Sequence, residues 1–125
     1  MKKSLIGLVS AVALLATPAV AADKVKIGFV TTITTPAGAM GRDMVDGANI
    51  ALKHINNMMG GKQVDFIVED DGFKPEIGKQ KTDKLVKQDK VDFVTGYIWS
   101  HVLLASRKSA LANDTFMISA NAGPS

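Results

Sequence analysis

The sequence predicts an α/β fold, a parallel sheet with helices on both faces. Three observations carry that reading. Short β-rich runs alternate with stretches whose apolar residues recur every three or four positions. The intervening helical stretches are long enough to serve as crossovers between parallel strands. Each strand is followed by a polar loop, where open parallel sheets hold their ligands. The order is β-α-β-α-β-α-β, with no internal repeat and no low-complexity linker.

The first strand, Val25 to Val30, alternates at its start and then becomes continuously apolar, as a buried strand does. Thr31 to Gly41 is a loop of Thr and Gly with Pro36. From Arg42 to Met59 the apolar positions Met44, Val45, Ala48, Ala51, Leu52, Ile55 and Met59 share one helical face. Asn56 and Asn57 weaken the last turn, and Gly60-Gly61 is expected to stop it. Val64 to Val68 is the second strand, with Glu69-Asp70-Asp71-Gly72 at its carboxyl end. Pro75 suits a first helical position and Glu76 a first turn. That helix is expected to run to Gln88, with Ile77, Leu85 and Val86 inward and Lys79, Lys81, Lys84 and Lys87 on a solvated outer face. Val91 to Thr95 is the third strand, closed by Gly96. Ser100 is expected to cap a third helix to Ala112 that carries Val102, Leu103, Ala105 and Leu111. Asn113-Asp114 turn the chain into a fourth strand, Thr115 to Ser119. The loop Ala120 to Ser125 then leaves a crossover unfinished, so the chain reads as a fragment of a larger sheet.

The first residues read as an export signal. Lys2 and Lys3 precede a nearly unbroken apolar run from Ser4 to Ala16, and Ala19-Val20-Ala21 offers a small-x-small cleavage site. The apolar core, Leu5 to Leu15, falls short of the roughly 20 residues a membrane span needs, which disfavours an uncleaved anchor. Residues 1–21 are therefore expected to be removed, and 22–125 to act in the periplasm. Removing 21 of the 125 residues leaves 104, and losing two lysines lowers the net charge from +3 to +1. A near-neutral chain gives no reason to expect nucleic acid as a partner. The sequence has no Cys, so disulfides, thiol chemistry and lipid attachment at a Cys beside the cleavage point are excluded.

Function is expected at the polar loops Thr31–Gly41, Glu69–Gly72, Gly96–His101 and Ala120–Ser125. The first opens onto a helix amino terminus, where backbone N–H groups can hold a carboxylate or phosphate; the alternative is an ordinary strand-to-helix loop. It has neither Gly-x-Gly-x-x-Gly nor Gly-Lys-Ser/Thr, so no nucleotide is expected. Ser100 can cap its helix or donate to a ligand carboxylate. Tyr97 and Trp99 offer flat apolar walls, or simply pack. Ser100 lacks a nucleophile elbow, and no positioned acid accompanies His101, which argues against an exported hydrolase. Asp70, Asp71 and Glu69 lack the spacing of a hard-cation loop, and their plainer role is to end a strand and hydrogen-bond within the loop. His54 lies in a helix without a metal-spaced partner. No cofactor and no metal are expected.

A set of motifs in order resembles a known family. Lys26-Ile27-Gly28 starts a strand, Gly38-Ala39-Met40-Gly41 opens a helix containing Gly47-Ala48, and Asn56, Gly60-Gly61, Asp70-Asp71 and Pro75 follow. Gly96-x-x-x-Ser100 and the ending Ile118-Ser119-Ala120-Asn121-Ala122-Gly123-Pro124-Ser125 complete it. This order and spacing resembles the leucine/isoleucine/valine-binding (type I) periplasmic solute-binding proteins of ABC transporters. The resemblance implies a non-enzymatic receptor of two α/β lobes that closes on one small molecule and delivers it to a membrane permease. Residues 22–125 then correspond to an incomplete N-terminal lobe. It further implies that Ser100 grips the ligand's carboxylate and that Asn121 and Ala122 meet its polar head. Gly123 stands where amino-acid binders often carry a Thr, and Met40 where some carry a Tyr. Those departures count against a standard branched-chain amino acid, and the ending Ser119 to Ser125 resembles members that bind aromatic or other organic acids, with which Trp99 beside Ser100 is compatible. A sensory ligand-binding domain of the same fold is the alternative.

Overall fold

A computed structural model describes residues 23–123; the export signal read at residues 1–21 lies outside the described residues. The elements in order are β1 (Val25–Thr31), α1 (Ala39–His54), β2 (Met58–Met59), β3 (Lys62–Asp70), α2 (Pro75–Lys84), β4 (Phe93–Gly96), α3 (Ser100–Leu111) and β5 (Phe116–Met117). A single 3-10 turn, Pro36–Gly38, precedes α1, and a π turn, Leu85–Asp89, extends α2.

The strands lie in the order β2-β3-β1-β4-β5. β1 is central, paired in parallel with β3 (Ile27 opposite Phe66) and with β4 (Ile27 opposite Phe93). β5 adds in parallel, Phe93 opposite Phe116. The α/β class and the parallel sheet are therefore as the sequence predicts. One face of the sheet packs under α2 and α3, where Val30, Leu85, Val94 and Val102 are fully buried. The other lies under α1, where Phe29 and Phe66 meet with ring centroids 5.3 Å apart. There Leu52 of α1 and Phe29, Phe66 and Phe93 of the sheet share the walls of one apolar groove.

Several boundaries differ from expectation. The first helix starts earlier and stops at His54 rather than Met59. Asn56 and Asn57 adopt positive φ (54° and 53°) and Gly60-Gly61 form a second left-handed pair (58° and 78°). The glycines thus do not end a helix. They turn a short hairpin, pairing Met58 with Gln63 and Met59 with Lys62 in antiparallel fashion, which is the conformation that two successive positive-φ residues favour. The second helix ends its α turns at Lys84, and the π turn closes on Lys90 in the left-handed region (φ 53°). The lysines on α2 are outward as expected, yet they are paired: Lys81 and Lys84 reach Glu69 at 2.7 Å, and Lys79 and Lys87 reach Asp83 at 2.6 Å.

Candidate functional site

Because β1, β3, β4 and β5 run parallel, the loops that leave them gather at one edge. Two adjacent carboxylates fasten the loop after β1 to the loop after β3. Asp70 Oδ1 accepts the N–H groups of Ile33 (2.9 Å) and Gly72 (3.0 Å), and Oδ2 accepts the Thr34 hydroxyl at 2.5 Å. Partial burial works against its charged form, but the bonds from Thr34, Ile33 and Gly72 outweigh it and hold the Asp70 carboxyl below its ordinary range. Asp71, fully buried, accepts the Thr32 hydroxyl at 2.5 Å and Phe73 N–H at 2.8 Å, both on Oδ1. Thr32 in turn accepts the indole N–H of Trp99 at 3.0 Å. Gly41 lets the amino end of α1 close on this loop, since a Cβ there would lie 1.8 Å from the Thr32 carbonyl oxygen. The loop bonding expected of Asp70 and Asp71 is present, and among the described residues no group of acidic, His or Cys side chains is placed to hold a metal.

A second set of bonds docks the chain after β5 onto the loop after β4. Ala122 N–H donates to the Tyr97 carbonyl at 3.1 Å, and Asn121 Nδ2 donates to the Ile98 carbonyl at 3.0 Å. Ser100 Oγ donates to the Gly123 carbonyl at 3.3 Å. Ser100, Asn121, Ala122 and Gly123 are thus brought together, although Ser100 and Gly123 lie 23 positions apart. Ser100 does not cap α3 as expected. Trp99 is the cap residue, with no side-chain cap bond, and Ser100 is the first helical residue. The first N–H groups of α3 therefore have no side-chain acceptor, which leaves a partial positive charge beside the Ser100 hydroxyl.

The remaining sequence candidates separate. Trp99 is half-buried beside Ser100, edge-on to Phe73 with centroids 4.8 Å apart. Phe73 also meets His101 edge-on at 5.2 Å. Tyr97 is wholly buried, so its ring offers no wall to a ligand; it packs in the core with its hydroxyl 2.8 Å from Thr82 Oγ1. Burial pushes the Tyr97 phenol up, against a smaller opposing pull from the Thr82 bond. Met40 lies in the first turn of α1 and is 47% exposed, with no bond to the Ser100 group. Sequence reasoning missed Thr32 and Phe73. Nothing in the sequence marks a Thr just past a strand as a junction, and Phe73 gains its place through a positive φ of 67°, rare for a bulky residue.

The family described as periplasmic binding protein matches residues 24–125, and the chain belongs to that family. Among solved structures it is similar to an ABC transporter substrate-binding protein from Sphaerobacter thermophilus, with 29% identity over 82% of this chain and 28% of that one, at a TM-score of 0.77. It is also similar to the branched-chain amino acid transporter substrate-binding protein LivJ from Streptococcus pneumoniae, solved with isoleucine (28% identity, 82% of this chain, 30% of that one, TM-score 0.77). A solute-binding protein from Rhodopseudomonas palustris, solved with 3,4-dihydroxy benzoic acid, shares the fold at 23% identity (80% of this chain, 28% of that one, TM-score 0.77). The chain spans 28–30% of the length of these structures. No curated protein matches it.

Proposed function

We propose, with family membership as premise, that residues 22–125 contribute the carboxyl-end loops of one lobe to a non-catalytic solute receptor of an ABC importer. The receptor is exported by a signal at residues 1–21, works in the periplasm and delivers its cargo to a membrane permease. The cargo is a small carboxylate, either a branched-chain amino acid or an aromatic or other organic acid, held between two lobes. Ligand that bridges the lobes favours the closed form, which is the form a permease can distinguish.

The observation that carries this reading is the docking of Asn121, Ala122 and Gly123 onto the segment that ends in Ser100. The Ser100 bond to the Gly123 carbonyl is long, at 3.3 Å, so it is weak and easily exchanged for a ligand oxygen. The hydroxyl gains a charged acceptor in place of a neutral one, and the uncapped start of α3 adds a favourable field for that charge. Trp99 then lines the approach, with Asn121, Ala122 and Gly123 meeting the ligand's polar head.

Thermal-shift screening of the full-length protein against amino acids and aromatic acids tests this, because ligand that prefers the native state raises its melting temperature. Stabilisation by one acid class supports solute capture and names the cargo, and silence from both overturns a carboxylate cargo. With the ligand in hand, Ser100→Ala is expected to weaken binding by about 1.5–3 kcal/mol, the range for a hydrogen bond to a charged group. Unchanged affinity on calorimetry would remove Ser100 from the grip.

A further inference from the structure

One buried hydroxyl stands between two of the loops that the ligand site is built from. Thr32 follows β1 directly and is fully buried. Its Oγ1 lies 2.5 Å from Asp71 Oδ1 and 3.0 Å from Trp99 Nε1. The chemistry of the three groups sets the direction of both bonds. An indole N–H only donates, so a Thr32 lone pair receives Trp99, and the single Thr32 proton goes to Asp71 Oδ1. Asp71 is itself held, taking the Phe73 N–H at 2.8 Å and giving its own N–H to the Thr31 carbonyl at 3.0 Å. Phe73 meets the Trp99 ring edge-on. Trp99 is thus located both at its N–H and at its ring, and the next residue is Ser100.

We propose that Thr32 is a positioning residue for ligand capture. The Asp71–Thr32–Trp99 relay sets Trp99, and through it the Ser100 hydroxyl and the Gly123 segment, before ligand arrives. This rests on the reading of Ser100 as a ligand-gripping hydroxyl. Loops ordered in advance spare binding the cost of ordering them. A buried chain of hydrogen bonds polarises along its length and is stronger than isolated pairs. Thr32 acts only through Trp99. Removing its hydroxyl leaves the indole N–H and the Asp71 oxygen each one partner short, and frees the segment that carries Ser100.

The test is calorimetric titration of the full-length protein with leucine and with 4-hydroxybenzoate, alongside melting temperatures. Thr32→Val removes the hydroxyl at nearly constant shape, and Trp99→Phe removes the N–H while keeping a ring. Each is expected to weaken the acid that wild type binds by about tenfold, and the double variant by no more than the weaker-binding single one, because both cut the same relay. Thr32→Ser, which restores the hydroxyl, is expected to recover most of the loss. Wild-type affinity in Thr32→Val, with or without a lower melting temperature, overturns the proposal, as do fully additive losses in the double variant. If Thr32→Val does not fold, unchanged affinity in Trp99→Phe overturns it equally. Wild type that takes neither acid overturns the solute-capture reading and this role together, which separates that failure from a failure of Thr32 alone.

Discussion

Among the described residues the two faces of the sheet are closed to different degrees, and adjacent residues of one strand show it. Met117 of β5 pairs with Val94 and turns toward the face under α2 and α3, where it packs half-buried against the core. Phe116, one residue earlier, pairs with Phe93, points to the face under α1 and is 78% exposed. On the first face Val30, Leu85, Val94 and Val102 admit no water, and the Tyr97 hydroxyl finds Thr82 inside the same layer. On the second face α1 covers β1 and β3 but leaves an apolar groove of about 290 Å³, with Ile55 and Met59 on its rim and Ile118 beyond it. A strand's side chains alternate between faces with period two, so a single sequence run feeds a more closed layer and a more open one at once. The closed face carries α3, which begins at Ser100 just after Trp99, so the candidate site is supported from the side with the buried core.

The sharpest way to break this contrast is to truncate one side chain from each face. Leu85→Ala is expected to destabilise the protein by about 2–5 kcal/mol, the range for a buried leucine that leaves a cavity. Phe116→Ala is expected to stay within about 0.5 kcal/mol, as exposed substitutions do. Urea unfolding at constant slope measures both. Comparable losses would mean that the α1 face is covered in solution. A smaller effect sharpens the account of the closed face. Thr82 Oγ1 donates to the Gly78 carbonyl at 2.8 Å, which leaves Tyr97 as the donor of the bond between the two hydroxyls. Tyr97→Phe is then expected to cost about 1 kcal/mol, with ligand affinity unchanged if the ring is core alone. Altered ligand affinity in a protein of near-wild-type stability would return Tyr97 to the site.

Much of this was legible in the sequence where period and punctuation agree. The alternation of β1 and the Pro75 start of α2 yield the right elements, and the uninterrupted order of strands and helices yields the sheet. Errors arise where one residue satisfies two patterns. Ile55 and Met59 continue the helical spacing of α1, so the Asn56-Asn57 and Gly60-Gly61 pairs read as a fraying end rather than as the two bends that make a hairpin. Ser100 fits the composition of a cap, yet the chain places it one position inside the helix, with its hydroxyl turned to the Gly123 carbonyl. That contact spans 23 residues, and no local rule registers it. The Thr32 junction is less legible still. It joins residues 39 and 67 positions apart, and it exists only once β1, β3 and β4 lie side by side.

The smallest expected effect lies on the outer surface of the closed layer, and it separates surface electrostatics from core packing. Asp83 of α2 receives Lys79 and Lys87, each at 2.6 Å and each one helical turn away. Hydrogen bonds from Lys79 and then Lys87 lower its carboxyl from 3.8 to about 2. A carboxyl whose folded value lies below its unfolded one stabilises the fold above the unfolded value, and that stability is lost as pH falls through the folded one. The contribution is therefore expected to be complete above about pH 4 and to fade toward pH 2. Both lysines are about half exposed, so solvent and salt screen the pairs and the total stays below about 1 kcal/mol. Asp83→Asn is expected to flatten the stability–pH curve in that window alone, and added salt to shrink the difference from wild type. A loss of several kcal/mol, insensitive to salt, would mean that these pairs, which lie within α2 and its π turn, stabilise the helix on the scale of core burial at Leu85. The contrast between a closed interior and a merely decorated exterior would then fail.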